Sequence, residues 1–401
     1  MYAKVSSMRT KALRLSLNQR AAAASLLMLF SLGQTLAVSA SALIPAPPKL
    51  AAKSYVLMDA DTGKIIVQKN AHKELPPASL TKIMTGYVAS HELTNGNISF
   101  DDSVRVSVKA WKTGGSRMFL KEGTYVDVEN LLRGVIIQSG NDASVALSEH
   151  IAGSEDAFAD LMNRHADRLS MHNTHYMNAT GLPSSNHYTT AADLAILAQA
   201  SIRDFPQHYS IYSEKEFTYN NIKQSNRNKL LWRDPTVDGL KTGHTEAAGY
   251  CLVASAINKG MRLISVVMGT KSPAARAQES QKLLTYGFRF YETHTLSKAN
   301  EAIKESKVWM GEQDTIELGV NQEFKATIPR GQLDNISTTV SIDPIIKAPI
   351  TKGTRYGTVT LALEGELLAE LPLVALHDLD TGSLFKRVVD YLILLVQSFF
   401  K

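Results

Sequence analysis

The sequence predicts an α+β chain: strands from both ends of a large first domain share one sheet with helices packed on it, and a small all-β domain and an amphipathic helix follow. Three observations predict this. An antiparallel meander is legible at Leu240 to Thr245, Tyr250 to Ile257 and Met261 to Met268, with turns at Ala248-Gly249 and Asn258-Lys259-Gly260. Well ahead of it, Leu80, Ile83, Met84, Tyr87 and Val88 have the spacing of a buried helical stripe. After about Lys298 the texture changes to short alternating runs.

The chain opens with Lys4, Arg9, Lys11, Arg14 and Arg20 and no acid, then an apolar stretch from Ala21 to Val38 and the small residues Ser39-Ala40-Ser41-Ala42. This is a secretory signal over residues 1–42, cleaved after Ala40 or Ala42, so the protein is expected to be exported to the periplasm. Residues 43–297 form the first domain. It starts with a hairpin, Tyr55 to Asp59 and Lys64 to Lys69, about an Asp61-Thr62-Gly63 turn. Pro76-Pro77 forbids the next helix from starting much earlier, which leaves Ser79 at its N-terminus. The polar segment Asn173 to Thr190 reads as a rim loop ending at a helix cap of Thr190 with Asp193. The meander and a closing helix from Ala274 to Tyr291 complete the domain.

Residues 298–380 form the all-β domain, with runs at Lys307 to Met310, Phe324 to Ile328, Ser337 to Ile342, Thr358 to Leu363 and Leu367 to Leu373. In residues 381–401, Leu384, Phe385, Val388, Val389, Leu392, Leu395, Val396, Phe399 and Phe400 recur at helical spacing, while Lys386, Asp390, Gln397 and Lys401 fall near the opposite face. The longest unbroken apolar run, Tyr391 to Val396, is far below the roughly 20 residues a bilayer span needs. The helix is expected to lie in a membrane surface and attach the protein there, on the outer face of the inner membrane.

Chemistry is carried by three strings: Ser79-Leu80-Thr81-Lys82, Ser139-Gly140-Asn141 and Lys241-Thr242-Gly243. Residues three apart on a helix share a face, so Ser79 and Lys82 can meet, a hydroxyl beside an amine. Each string alone is weak. Ser-x-x-Lys recurs at Ser383/Lys386 and Ser398/Lys401, and Lys-Thr-Gly at Lys112-Thr113-Gly114. Context selects: Ser139-Gly140-Asn141 is a polar break between apolar runs, and Lys241-Thr242-Gly243 sits on a strand edge where Gly243 lets a peptide ligand approach the backbone.

These residues resemble the penicillin-recognising serine acyl-transferases. More closely, and nearly end to end, the chain looks like a low-molecular-mass D-alanyl-D-alanine carboxypeptidase of the type-5 penicillin-binding class. The likeness includes the stretches Gln138 to Ala143, Val237 to His244 and Lys282 to Gly287, and the amphipathic tail. The resemblance implies a penicillin-binding/β-lactamase-like fold, an antiparallel five-stranded sheet and a helical cluster with the site between them. It implies that Ser79 is the acylated nucleophile, Lys82 its general base and Ser139 a proton relay to the leaving amine. Asn141 would hydrogen-bond the substrate's amide, and Thr242 with Arg276 would bind the terminal carboxylate. Backbone N–H groups of Ser79 and His244 would form the oxyanion hole. Lys82 must then be deprotonated at rest, which desolvation and a second cation, Lys241, would favour. The substrate implied is a peptidoglycan stem peptide ending in D-Ala-D-Ala, with β-lactams as covalent inhibitors. A β-lactamase, an endopeptidase or transpeptidase, and a non-enzymatic membrane-surface scaffold are the alternatives; the Glu-x-x-Leu-Asn string of class A β-lactamases has no match between Asn141 and Lys241.

Other chemistry finds little support. Among the 11 histidines, His165, His172 and His175 are close in sequence, but no His-Glu-x-x-His string exists and one cysteine cannot build a zinc cluster, so no metal and no cofactor is expected. Cys251 reads as a small buried hydrophobe with no disulfide partner. The net charge of +5 is spread along the chain with no basic block, which argues against nucleic acid.

Overall fold

The computed structural model describes residues 44–400; the signal read at residues 1–42 lies outside the described residues. Buried along its whole length, β1 (Ser54–Asp59) is an interior strand. It pairs antiparallel with β2 (Ile65–Lys69) across the Asp61-Thr62-Gly63 turn. Four helices of twelve or more residues follow: α1 (Thr81–Thr94), α2 (Asn141–Ala152), α3 (Glu155–Arg168) and α4 (Ala191–Asp204). Every residue of α1 from Thr81 to Ser90 is buried, so the predicted apolar stripe belongs to a helix enclosed on all sides. The cap expected at Thr190 is present, its hydroxyl accepting from the Asp193 N–H at 3.1 Å.

The meander forms β3 (Val237–Thr245), β4 (Gly249–Asn258) and β5 (Met261–Thr270), and the sheet order β2-β1-β5-β4-β3 is antiparallel throughout. The N-terminal hairpin therefore joins the sheet through β5, while β3 is left on an open edge. Alternation along β1 separates two cores. Val56 and Met58 face the helical cluster, and Tyr55 and Leu57 face the core that α5 (Pro273–Phe290) covers.

The second domain contains β6 (Tyr291–Ser297), β7 (Ala302–Trp309), β8 (Thr315–Gly319), β9 (Phe324–Pro329), β10 (Ile336–Ile342), β11 (Ile346–Lys347), β12 (Arg355–Leu363) and β13 (Glu366–Ala375). Six of them form one sheet in the order β10-β12-β13-β8-β7-β11, and β6 pairs with β9. Two features differ from expectation. Tyr291–Ser297, read with the first domain, pairs into the second, and Thr315–Gly319 is an additional strand. The two domains are bonded at Asp59, whose buried carboxylate accepts from the hydroxyls of Thr293 and Thr327 and from the N–H groups of Asp61 and Thr62.

The final helix, α6 (Leu384–Ser398), is capped by Ser383. Lys386 and Asp390 turn back to the β domain, Lys386 pairing with Asp314 at 2.7 Å and Asp390 accepting from the Met310 N–H at 2.7 Å. The apolar face is left open, with Leu384, Phe385, Phe399 and Phe400 at least three-quarters exposed. Among the described residues no helix is long and apolar enough to cross a membrane.

Candidate active site

After Pro76-Pro77 the chain makes a tight 3₁₀ turn, Ala78–Leu80, that runs directly into α1. Ala78 takes a left-handed φ of +48°, which turns Ser79 out of the helix axis and leaves it partly exposed. The rim loop closes over this turn at Gly181, where a Cβ would stand 1.9 Å from the Ala78 carbonyl oxygen. One turn into α1, Lys82 is fully buried and its Nζ donates to Ser79 Oγ at 3.3 Å, Asn141 Oδ1 at 2.7 Å and the Thr180 carbonyl at 2.6 Å. Burial first, then the Arg227 guanidinium, lowers its pKa to about 7, against the opposing pull of Asp142 and Glu155. The amine is thus poised to take a proton at neutral pH.

The second string links a π-helical turn, Gly134–Gln138, to α2. Ser139 adopts a left-handed φ of +65°, and its buried hydroxyl has no hydrogen-bond partner. Asn141 is fixed from three sides: its Oδ1 accepts from Lys82, its Nδ2 donates to the Gly114 carbonyl at 2.6 Å, and its N–H donates to the Ser116 carbonyl at 2.7 Å. Its side chain therefore also positions the Lys82 amine, a contact beyond the substrate contact that the resemblance implies.

The third string lies on the open edge of β3. Gly243 packs against the turn that carries Ser79, where a Cβ would sit 3.1 Å from the Pro77 carbonyl oxygen and 3.2 Å from Leu80. Its carbonyl accepts from Arg276 Nη1 at 3.0 Å. Thr242 and Lys241 are buried. Lys241 is held well below the ordinary lysine range by burial, with Lys82, Arg227 and Arg276 adding to it. Arg227, after burial, is the cation whose charge lowers Lys82. The exposed His244 ring stacks on Tyr250 at 3.9 Å.

Ser79, Ser139, Thr242, Gly243, His244 and Arg276 line one cavity of about 240 Å³, together with Ser116, Arg227 and Tyr250. Predicted site residues far apart in the chain thus meet in one hollow, while Lys82, Asn141 and Lys241 are buried outside its lining. A larger hollow of about 760 Å³ beside α5 contains none of the motif residues. Arg227 went unread in the sequence; it stands in the plain polar run Asn226-Arg227-Asn228, and only its 3.0 Å bond to the Gln138 carbonyl brings it to the site. Cys251 is buried behind β3, accepts from the Gly269 N–H at 3.4 Å, and burial pushes its thiol up to about 11. His165 does not group with His172 and His175; it lies against His91 and Glu92.

Residues 41–272 match the family model of D-alanyl-D-alanine carboxypeptidase, and residues 291–381 match the penicillin-binding protein 5 C-terminal domain. The chain is 43% identical to D-alanyl-D-alanine carboxypeptidase DacA of Escherichia coli (strain K12), over 89% of this chain and 91% of that protein. It is 41% identical to DacF of Bacillus subtilis (strain 168), over 83% and 87%. Among solved structures, penicillin binding protein 5 from Haemophilus influenzae superimposes with a TM-score of 0.80 at 43% identity, over 84% of this chain and 99% of that one. Penicillin-binding protein D2 from Listeria monocytogenes, in its ampicillin bound form, covers 60% of this chain with a TM-score of 0.56 at 28% identity. The chain belongs to the D-alanyl-D-alanine carboxypeptidase family of serine hydrolases.

Proposed function

We propose that this protein removes the terminal D-alanine from peptidoglycan stem pentapeptides through an acyl-enzyme on Ser79. The observation that carries this is a buried amine, with a pKa of about 7, 3.3 Å from one hydroxyl at a cavity that also holds Arg276 and Thr242. Lys82 takes the Ser79 proton as Oγ attacks the carbonyl of the penultimate residue. The oxyanion forms between the N–H groups of Ser79 and His244. The C–N bond then breaks, and the Lys82 proton passes through the unpartnered Ser139 hydroxyl to the leaving D-alanine amine. Arg276, Arg227 and Thr242 hold that residue's carboxylate, which selects for a free C-terminus. Water enters and attacks the acyl carbon as Lys82 takes its proton, the acyl C–Oγ bond breaks, and Lys82 returns that proton to Ser79 Oγ.

The stem peptide lies along β3 as an added strand, alongside Lys241 and Gly243, with Asn141 offering its remaining amide hydrogen. β-Lactams acylate the same serine because their strained amide imitates the scissile bond. Mass spectrometry after β-lactam exposure tests the assignment: an adduct on the peptide containing Ser79, absent in Ser79→Ala, is expected. Equal labelling of both proteins contradicts it.

The wider arrangement supported by these readings is an exported protein. Residues 1–42 serve as the leader, 43–297 as the catalytic part, 298–380 as a spacer and 381–401 as a helix lying in the outer face of the inner membrane. The open apolar face of α6 supports the last point.

A further inference from the structure

The C-terminal half of α1 carries His91 and Glu92, and α3 brings His165 beside them. His165 is 1% exposed, yet its Nδ1 has no hydrogen-bond partner. A buried polar atom left unpaired costs roughly 1–3 kcal/mol, so an orphan on a ring packed edge-on against His91, with centroids 4.7 Å apart, calls for an explanation. We propose that His91, Glu92 and His165 bind one divalent transition-metal ion of the zinc class, which ties α1 to α3.

Each side chain offers one donor atom, and the three lie within 4.8 Å of one another. Around a tetrahedral zinc with bonds near 2.0–2.1 Å, neighbouring donors stand about 3.3 Å apart. The part-exposed His91 and Glu92 can close that gap. Two imidazoles and a carboxylate are a set that zinc accepts with a fourth position left for water. An outer shell is already in place: Asn97 Nδ2 donates to Glu92 Oε2 at 2.6 Å, which leaves Oε1 turned to His91 Nδ1 at 3.0 Å. The metal takes the place of the proton between that pair, and in the neutral ring this proton moves to Nε2. On the outer side, Asn95 and Arg168 contact His91, with Arg168 Nη1 3.4 Å from Nε2; Arg168 is exposed and free to swing away. Solvent reaches the site through His91 and Glu92, whose side chains are 24% and 14% exposed.

His91 stands nine residues beyond Lys82 on α1, about 13 Å along the axis, so the ion is a clamp on the helix carrying the base and takes no part in acyl transfer. Its sequence signal is weak because His91 and Glu92 come from one helix and His165 from another, with no compact ligand string.

The test uses the full chain stripped with a chelator, titrated with Zn²⁺ by calorimetry and with Co²⁺ by visible absorption. One ion per chain at micromolar affinity, a tetrahedral cobalt band, and at least about tenfold weaker binding in both His91→Gln and Glu92→Gln are expected. These two variants avoid the buried His165, and their penicillin labelling at Ser79 reports an intact fold. Absence of binding in the wild type at submillimolar metal, or binding unchanged in either variant, overturns the proposal.

Discussion

Arg227 shows how strongly a single charge bears on this site. In the proposed mechanism Lys82 acts in its neutral form, so acylation is expected to fall as pH drops through about 7, where the amine takes up a proton. Removing the guanidinium stabilises the protonated amine. Arg227→Gln is therefore expected to move the acidic limb of the acylation profile to higher pH and to slow acylation at pH 7 severalfold; an unmoved limb contradicts the role. At Gly181 the issue is space and backbone. Alanine there must hold a φ of +80° and would collide with the Ala78 carbonyl, so Gly181→Ala should lose at least roughly 1–2 kcal/mol in urea unfolding and reduce penicillin acylation sharply. Ser79 and Lys82 were legible because their relation is local, one helical turn. Arg227 was not, because its place depends on a loop contact with Gln138 that no spacing announces. Asn141 was half legible: its motif marks it, but its grip on Lys82 exists only once α1 and α2 pack.

At the scale of elements, the meander and the N-terminal hairpin were readable from alternation and turn chemistry, and β3–β5 match within a few residues. Thr315–Gly319 alternates too, but five residues beside a polar run make a faint signal. Tyr291–Ser297 was hidden by following α5 without a break. For α6 the pattern disclosed the apolar face, while the ties of Lys386 and Asp390 to the β domain needed a partner to become visible. Those ties orient the helix with its apolar face outward. Deleting residues 383–401 is expected to abolish co-sedimentation with lipid vesicles and leave turnover of a soluble pentapeptide unchanged. Retained vesicle binding would remove α6 as the anchor.

Across the whole molecule, Asp59 is the hinge pin between domains. Four donors converge on one buried carboxylate, and removing it strands the Thr293 hydroxyl and two backbone N–H groups, while the Thr327 hydroxyl keeps its bond to Thr62. Asp59→Ala should lower stability by at least roughly 2 kcal/mol and split unfolding into two transitions, with Trp309 reporting the β domain; a single undiminished transition contradicts this. Elsewhere the molecule contains one sulfhydryl, sealed behind the edge strand. No internal cross-link can form and the sulfur is withheld from oxidants, so refolding yield should be the same in glutathione buffers of any poise. Such a chain reaches its native state without help from any thiol-oxidising machinery.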